Sequence, residues 1–397
     1  MLTSLALIFL CGLLLGGLLK KLGLPDLLGM LITGIVLGPY ALNLLNPTLL
    51  QLSADLRQIA LVIILLRAGL SLDLNALKKV GRPALLMCFV PALLELLGVL
   101  IIAPKLLGIS LLDAAILGTV LAAVSPAVIV PRMLHLIEEN RGTHHSIPQL
   151  IMAGASVDDI FVIVLFTSFT GIAEGGHFSL ESFIGIPLSI LLGIGVGLLI
   201  GLFLSGLFKK LHLRDSVKVI IILSVSFLLV SLENSIKTTI PFSGLIAIMT
   251  LGATLYRTYL PLASRLSHKF SKLWIAAQLI LFVLVGATVD LSYAFKATGP
   301  ALLVISFALI FRALGVWLAL LKTPLTTRER LFCIVAYMPK ATVQAAIGSI
   351  PLTMGLSCGP IVLTVSVIAI VLTAPLGAFG IDYLSPKCLD LDSFPPD

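Results

Sequence analysis

The sequence predicts an all-α polytopic membrane protein of about thirteen transmembrane helices, built as inverted six-helix repeats with two crossed broken helices. Three observations carry that prediction. Of 397 residues, 59% are hydrophobic and 11% charged, against about 45–50% apolar and 25% charged in an average soluble domain. Lysine and arginine fall in clusters that alternate between two sides of the chain. Finally, two motifs recur at offsets of 216 and 217 residues.

Apolar runs of about 20 residues are long enough to cross a bilayer. They place spans near 2–19, 23–42, 57–75, 83–104, 111–134, 147–171, 182–207, 216–232, 239–256, 273–292, 299–321, 330–352 and 358–381. The first run lacks a basic n-region and a small-residue cleavage site and leads into Lys20 and Lys21, so it reads as a retained span and not a signal peptide. With the N-terminus outside, nineteen loop cations fall on the inner side, among them Lys20, Lys78, Arg132, Arg141, Lys209, Arg265 and Lys387. Only Arg57, Lys105, Lys237 and Lys296 fall outside, which supports both the span count and the orientation, with a cytoplasmic C-terminus. Topology therefore accounts for the net charge of +7, and nothing calls for nucleic acid. Cys11, Cys88, Cys333, Cys358 and Cys388 are scattered without paired spacing, which argues against a metal site or a disulfide framework.

The repeat sets the architecture. Leu24–Gly29 answers to Ile240–Gly244, and Arg67–Leu74 answers to Leu284–Leu291. Halves displaced by seven spans have opposite orientation, because seven is odd; the run at 182–207 is then a linker between two sets of six. Inverted repeats belong to secondary transporters and are hard to justify in a membrane enzyme, so no catalytic residue is assigned.

The offset also predicts which broken helices meet. Ser125, Pro126 and Pro131 interrupt the run at 111–134, and adding 217 to Ser125 lands on Thr342, beside Pro339 and Lys340, in the run at 330–352. An internal proline removes a backbone hydrogen bond, and freed backbone at membrane depth persists only against a cavity or compensating charge. Lys340 either offsets the negative ends of half-helices or pairs with an acid. The same shift carries Glu95 onto Arg312, the ionisable residues deep in their two spans, and suggests a buried ion pair. Arg67 has no partner suggested by the repeat and reads as structural.

The chemistry centres on 147–171, where Asp158 and Asp159 sit inside an apolar run. A charge there costs about 2.5–3.5 kcal/mol on insertion scales, which marks function. Adjacent helical positions point about 100° apart, so the two acids face different neighbours. Gly154, Ala155 and Ser156 leave room for close packing or water. An intramembrane aspartyl protease needs its acids on different helices, so this adjacency argues against it. His135, His144 and His145 precede this helix and read as solvated loop histidines, with a pH response as the alternative.

These residues resemble a family. The Asp158/Asp159 pair, Ser125–Pro131, the run ending in Asp73 and, above all, Met338–Ser349 are similar to the second subfamily of the monovalent cation:proton antiporter superfamily. Within it, the similarity is to the Na+/H+ antiporter branch related to animal NHA-type sodium/proton exchangers, and it covers nearly the whole chain. The resemblance implies the Na+/H+ antiporter fold, a homodimer in the cell inner (plasma) membrane, and elevator-like exchange. Residues 1–75 and 216–292 would form the dimer scaffold, 83–171 and 299–381 the moving core, and 382–397 a short cytoplasmic tail. Carried over by position, Asp159 would be the principal carrier of cation and proton, with Asp158 beside it and Ser125, Ser156 or nearby backbone oxygens adding ligands for Na+ or Li+, and no cofactor besides the transported ions. Lys340, Thr342, Pro126 and Pro131 would belong to the broken helices. Many relatives with paired aspartates have lysine where Arg312 stands, a departure that favours electroneutral exchange, since arginine does not give up its proton. A K+/H+ antiporter or another carrier on this architecture is the alternative; a passive channel would need no proton gradient.

Overall fold

The computed structural model describes residues 1–72, 81–175, 180–211, 213–236 and 242–391, with backbone alone at 156, 160, 175, 180–187 and 234. Asp73, Leu74, Lys78, Lys237, Ile240 and Pro241, all used above, lie outside the described residues, as does the side chain of Ser156. In chain order the helices are α1 (Leu2–Lys21), α2 (Asp26–Leu37), α3 (Pro47–Gln51), α4 (Ser53–Gly69), α5 (Arg82–Met87) and α6 (Val90–Leu107). There follow α7 (Leu111–Ala122), α8 (Pro126–Glu138), α9 (Ile147–Gly175), α10 (Leu180–Lys210), α11 (Asp215–Ile236) and α12 (Gly244–Thr258). The chain closes with α13 (Leu260–Ala287), α14 (Leu291–Ala319), α15 (Thr327–Ala336), α16 (Thr342–Ile347), α17 (Ile350–Thr353) and α18 (Gly359–Cys388).

A helix or a pair of helices meets each of the thirteen expected spans, and nine helical stretches among the described residues are long and apolar enough to cross a membrane. Where boundaries differ, the cause is local. Helix α2 covers only 12 residues of the span expected at 23–42, because Pro25 sets its N-cap and Gly38 leaves it in an extended conformation. Helix α13 begins at Leu260 rather than 273 and takes Arg265, Lys269 and Lys272 into its first turns, since hydropathy registers a helix's apolar middle and not its hydrated end. Helix α4 begins at Ser53 and absorbs Arg57, read above as an outer loop cation; it is 4% exposed, and its Nε donates to the Ser53 carbonyl at 3.1 Å. The fourth span is itself interrupted between Met87 and Val90, ahead of Pro91.

The inverted repeat recurs in the caps. Helix α7 starts with a capping box, Ser110 Oγ accepting from Asp113 N at 3.1 Å and Asp113 Oδ2 accepting from Ser110 N at 3.3 Å. Helix α15 starts with another, Thr326 with Glu329, displaced by the same offset of 216. Asp290 caps α14 by accepting from Ser292 N and Tyr293 N at 2.9 and 3.1 Å, and the bond from the Ser292 hydroxyl at 2.7 Å, with these two, holds its carboxyl below the ordinary range. Burial alone would raise the Glu329 carboxyl, but the hydrogen bonds from His145 and Thr326 outweigh it and leave it below the ordinary range.

Residues divide into two units by contact density: Met1–Gln51 with Leu74–Val162 and Phe282–Asp397, and Leu52–Asp73 with Ile163–Leu281. That cut differs from the scaffold-and-core division, which concerns what moves and not what packs. In the first unit α14 packs on α6, α1 on α2, and α18 on α15. A Cβ at Gly34 would lie 1.9 Å from the Val283 carbonyl oxygen and one at Gly286 2.2 Å from that of Leu31, so only glycine allows this backbone approach. Met87, Ile129, Ile151, Phe332, Tyr337 and Ile381 belong to its apolar core. In the second unit α12 packs against both α4 and α10 through Gly69, Gly197 and Gly201, and Asp215 accepts twice from Arg265, at 2.8 and 3.3 Å.

Two expectations at the loops change. His145 is not simply solvated: its Nδ1 lies 2.7 Å from Glu329 Oε1, with His144 edge-on to its ring. His135 lies 3.3 Å from Glu139. The tail expected from 382 remains helical to Cys388, with Asp382 accepting twice from Arg132 at 3.0 and 3.2 Å, and Gly142 N then donates to the Asp390 carbonyl at 3.0 Å. Leu389, 2% exposed, joins the first unit's core.

Candidate functional site

Helix α7 ends at Ala122, residues 123–125 run extended, and Pro126 opens α8 with a fixed φ and no donor to lose. Pro131 lies inside α8. Helix α15 ends at Ala336, and α16 begins at Thr342 after Pro339 and an extended Ala341. The two breaks are joined directly, Ser125 N donating to the Pro339 carbonyl at 2.8 Å.

A helix leaves its last four carbonyls without partners, and burying them bare costs about 1–3 kcal/mol each. Here side chains from the second half of the chain supply donors at both breaks. Gln344 Nε2 donates to Val120 O at 3.0 Å and Ala123 O at 2.8 Å, with Leu121 O at 3.5 Å. Arg312 Nη1 donates to Ala122 O, and Arg312 Nε to Tyr337 O at the end of α15. One guanidinium thus meets the negative ends of both half-helices. It also stands 5.0 Å from the Tyr337 ring, whose hydroxyl donates to Met87 O at 3.0 Å where the fourth span breaks.

The acids sit around that guanidinium. Glu95 Oε2 lies 2.6 Å from Arg312 Nη1 and 2.6 Å from Lys340 Nζ, all three residues being 1% exposed or less. Asp158 Oδ2 accepts from Arg312 Nη2 at 3.3 Å and from Val124 N at 2.9 Å. Asp158 is fully buried and Asp159 is 8% exposed. Three acids therefore accompany two cations. Close packing holds the aspartate helix in place: a Cβ at Gly154, one turn before Asp158, would lie 2.7 Å from Tyr337 Oη.

Among the described residues six buried side-chain oxygens have no hydrogen-bond partner: Gln149 Oε1 and, on the broken helices and the aspartate pair, Asp158 Oδ1, Asp159 Oδ1, Ser125 Oγ, Thr342 Oγ1 and Gln344 Oε1. Oxygens of this kind are hard ligands suited to a small cation or a proton. Among the described residues no cluster of His, Cys, Asp and Glu forms a transition-metal site.

Residues 5–384 match the family model described as sodium/hydrogen exchanger, transmembrane. This chain belongs to the sodium/hydrogen exchanger family. It is 33% identical over 379 residues to sodium/hydrogen exchanger 9B2 of Mus musculus, covering 92% of this chain and 69% of the relative. To sodium/hydrogen exchanger 9B1 of Homo sapiens it is 33% identical over 381 residues, covering 92% and 73%. Its fold is that of the sodium proton antiporter MjNhaP1 from Methanocaldococcus jannaschii, with a TM-score of 0.84 at 22% identity over 98% of both chains. With nine apolar helices in such a fold, this exchanger-family chain is an integral membrane protein, and its relatives are transporters and not enzymes.

In this exchanger-family chain the offset of 217 brings Glu95 to Arg312, while Ser125 is the N-cap of the half-helix after the first break and Thr342 the first residue of the half-helix after the second. Lys340 pairs with Glu95, while Arg312 and Gln344 meet the helix-end carbonyls. Two participants were not singled out from sequence. Nothing in the sequence singled out Tyr337. Gln344 carried a signal: like Lys340, which maps onto Ala123, it is a polar residue whose counterpart 217 positions earlier, Ala127, is apolar.

Proposed function

We propose that this chain exchanges Na+ or Li+ for H+ across the membrane, the cation and the proton competing for the carboxylates of Asp158 and Asp159. The supporting observation is that both acids are buried and each keeps one carboxylate oxygen unpartnered. A buried carboxylate without a full set of partners is costly unless something occupies it part of the time. Asp159 is the carrier in this reading, since Asp158 is already bonded to Arg312 and Val124 N. Ser125 Oγ and Ser156 complete the ligand set.

Exchange needs the site to face one side at a time. Residues 83–171 and 299–381 form the moving core in an elevator-like cycle, and 1–75 and 216–292 the scaffold of a lipid-embedded homodimer, joined by 182–207. In this reading the N-terminus lies outside and the C-terminus in the cytoplasm of a cell inner (plasma) membrane, which the distribution of loop lysines and arginines supports, and the exchanger serves pH homeostasis. Arg312 stays charged throughout the cycle, so protons ride on the carboxylates alone, which favours electroneutral exchange.

The test is proton movement in proteoliposomes with an imposed pH gradient, adding Na+, Li+ or K+ in turn. Na+ or Li+ should collapse the gradient in wild type and fail to do so in Asp159→Asn. Undiminished exchange by Asp159→Asn would move the site elsewhere, and a response to K+ alone would favour K+/H+ exchange. A rate that follows an imposed membrane potential would rule out electroneutrality.

A further inference from the structure

We propose that Gln344 sets cation selectivity by withholding main-chain carbonyls from the transported ion. This inference rests on the exchange reading above and names the residue that limits its ligand set. The carbonyls of Val120, Leu121 and Ala123 would otherwise end α7 bare beside the break that carries Ser125, and a row of free carbonyls is a ready cage for a large, weakly hydrated cation such as K+. The Gln344 amide nitrogen engages these carbonyls at 2.8–3.5 Å. That leaves the ion a small set of carboxylate and hydroxyl oxygens, which suits Na+ or Li+ better than K+.

The amide's orientation is fixed by chemistry. Turning it over would set Oε1 against three acceptors, so the nitrogen must face α7 and Oε1 must stay without a partner, as found. At 1% exposure the side chain is out of reach of bulk solvent. Nor does the other half of the repeat offer a replacement, because the equivalent position is Ala127. Gln344 acts through the carbonyls it occupies and is a positioning residue.

Purified wild type, Gln344→Met and Gln344→Asn are reconstituted and compared for cation-driven proton movement with Na+, Li+ and K+. Methionine keeps the length and loses the donors, and asparagine keeps the amide but falls one methylene short. The expected result is a K+ to Na+ rate ratio raised about threefold or more in Gln344→Met, with the Na+ KM changed more than the maximal rate and Gln344→Asn in between. Equal proportional losses for all three ions, with KM values unchanged, would reduce Gln344 to a structural strut and overturn the inference.

If neither variant yields a monodisperse particle, wild type decides alone through the rise in melting temperature on adding each cation: stabilisation by Na+ or Li+ exceeding that by K+ supports the inference, and equal stabilisation overturns it. Absence of any cation-driven proton movement in wild type would instead sink the exchange reading.

Discussion

Helix α10 meets α12 through glycine: Gly197 and Gly201 let the backbones approach until a Cβ would stand 2.3 Å from the Ala247 carbonyl oxygen or 2.7 Å from Thr254 Cβ. In the other unit the broken helices meet through Arg312, Gln344, Glu95, Lys340 and Asp158. Both regions must hold helices together without water, where apolar contact with lipid is nearly as good as contact with protein. Intact helices have every backbone group satisfied, so small residues and dispersion are enough for α10 and α12. Broken helices expose carbonyls and amides, and those need charges and amides to answer them. The contrast locates the costly residues: they stand where the backbone is interrupted.

Removing Arg312 should break the second arrangement most severely. Arg312→Leu strips Glu95 of one cation and Asp158 of its guanidinium, and leaves the Ala122 and Tyr337 carbonyls bare. Loss of one partner from a buried ion pair costs about 3–5 kcal/mol, so a large drop in the melting temperature of the purified protein is expected. Arg312→Lys keeps the charge but lacks the planar fork and should recover only part of the loss. A melting temperature within a degree or two of wild type for Arg312→Leu would show that the charges do not hold the crossing.

The glycine interface yields a smaller effect with a built-in control. Gly197→Val should cost about 1–3 kcal/mol by overpacking. Gly195→Val, where a Cβ meets nothing within 4 Å, should leave the melting temperature nearly unchanged. Similar losses for both would mean that the effect is helix propensity and not close packing.

Smallest is the Glu329 cap. Glu329→Gln should cost about 1 kcal/mol by weakening the capping box and the bond to His145. Because the folded carboxyl is held below its ordinary range, its contribution is fully present above about pH 4.3 and is lost as pH falls through the lowered value. The melting difference between wild type and Glu329→Gln should therefore hold steady at neutral pH and shrink only in strong acid.

Much of this was legible in the sequence because the repeat is covalent information. An offset of 217 brought Glu95 to Arg312 and Ser125 to Thr342 before any coordinate was known. Hydropathy located the helices for a similar reason, since bilayer thickness imposes the length of an apolar run. What stayed hidden depends on contacts that no period encodes. Gln344 caps carbonyls through a reach set by the angle between two broken helices. His145 meets Glu329 from a residue 184 positions away, and Leu389 packs into a core that a polar tail was not expected to join. Arg57 was placed outside because charge in a sequence reads as solvent, whereas the helix begins a turn earlier and carries it inward.

The mismatch between Ala127 and Gln344 bears on how such a chain can be assembled from parts. A molecule made from two copies of the first half would hold alanine at both positions and leave the end of a broken helix undressed. Two copies of the second would bring two glutamines to a junction that offers one row of carbonyls. The difference at this position makes the halves complementary and not interchangeable, so swapping them between relatives should succeed only when both members of the 127/344 pair travel together.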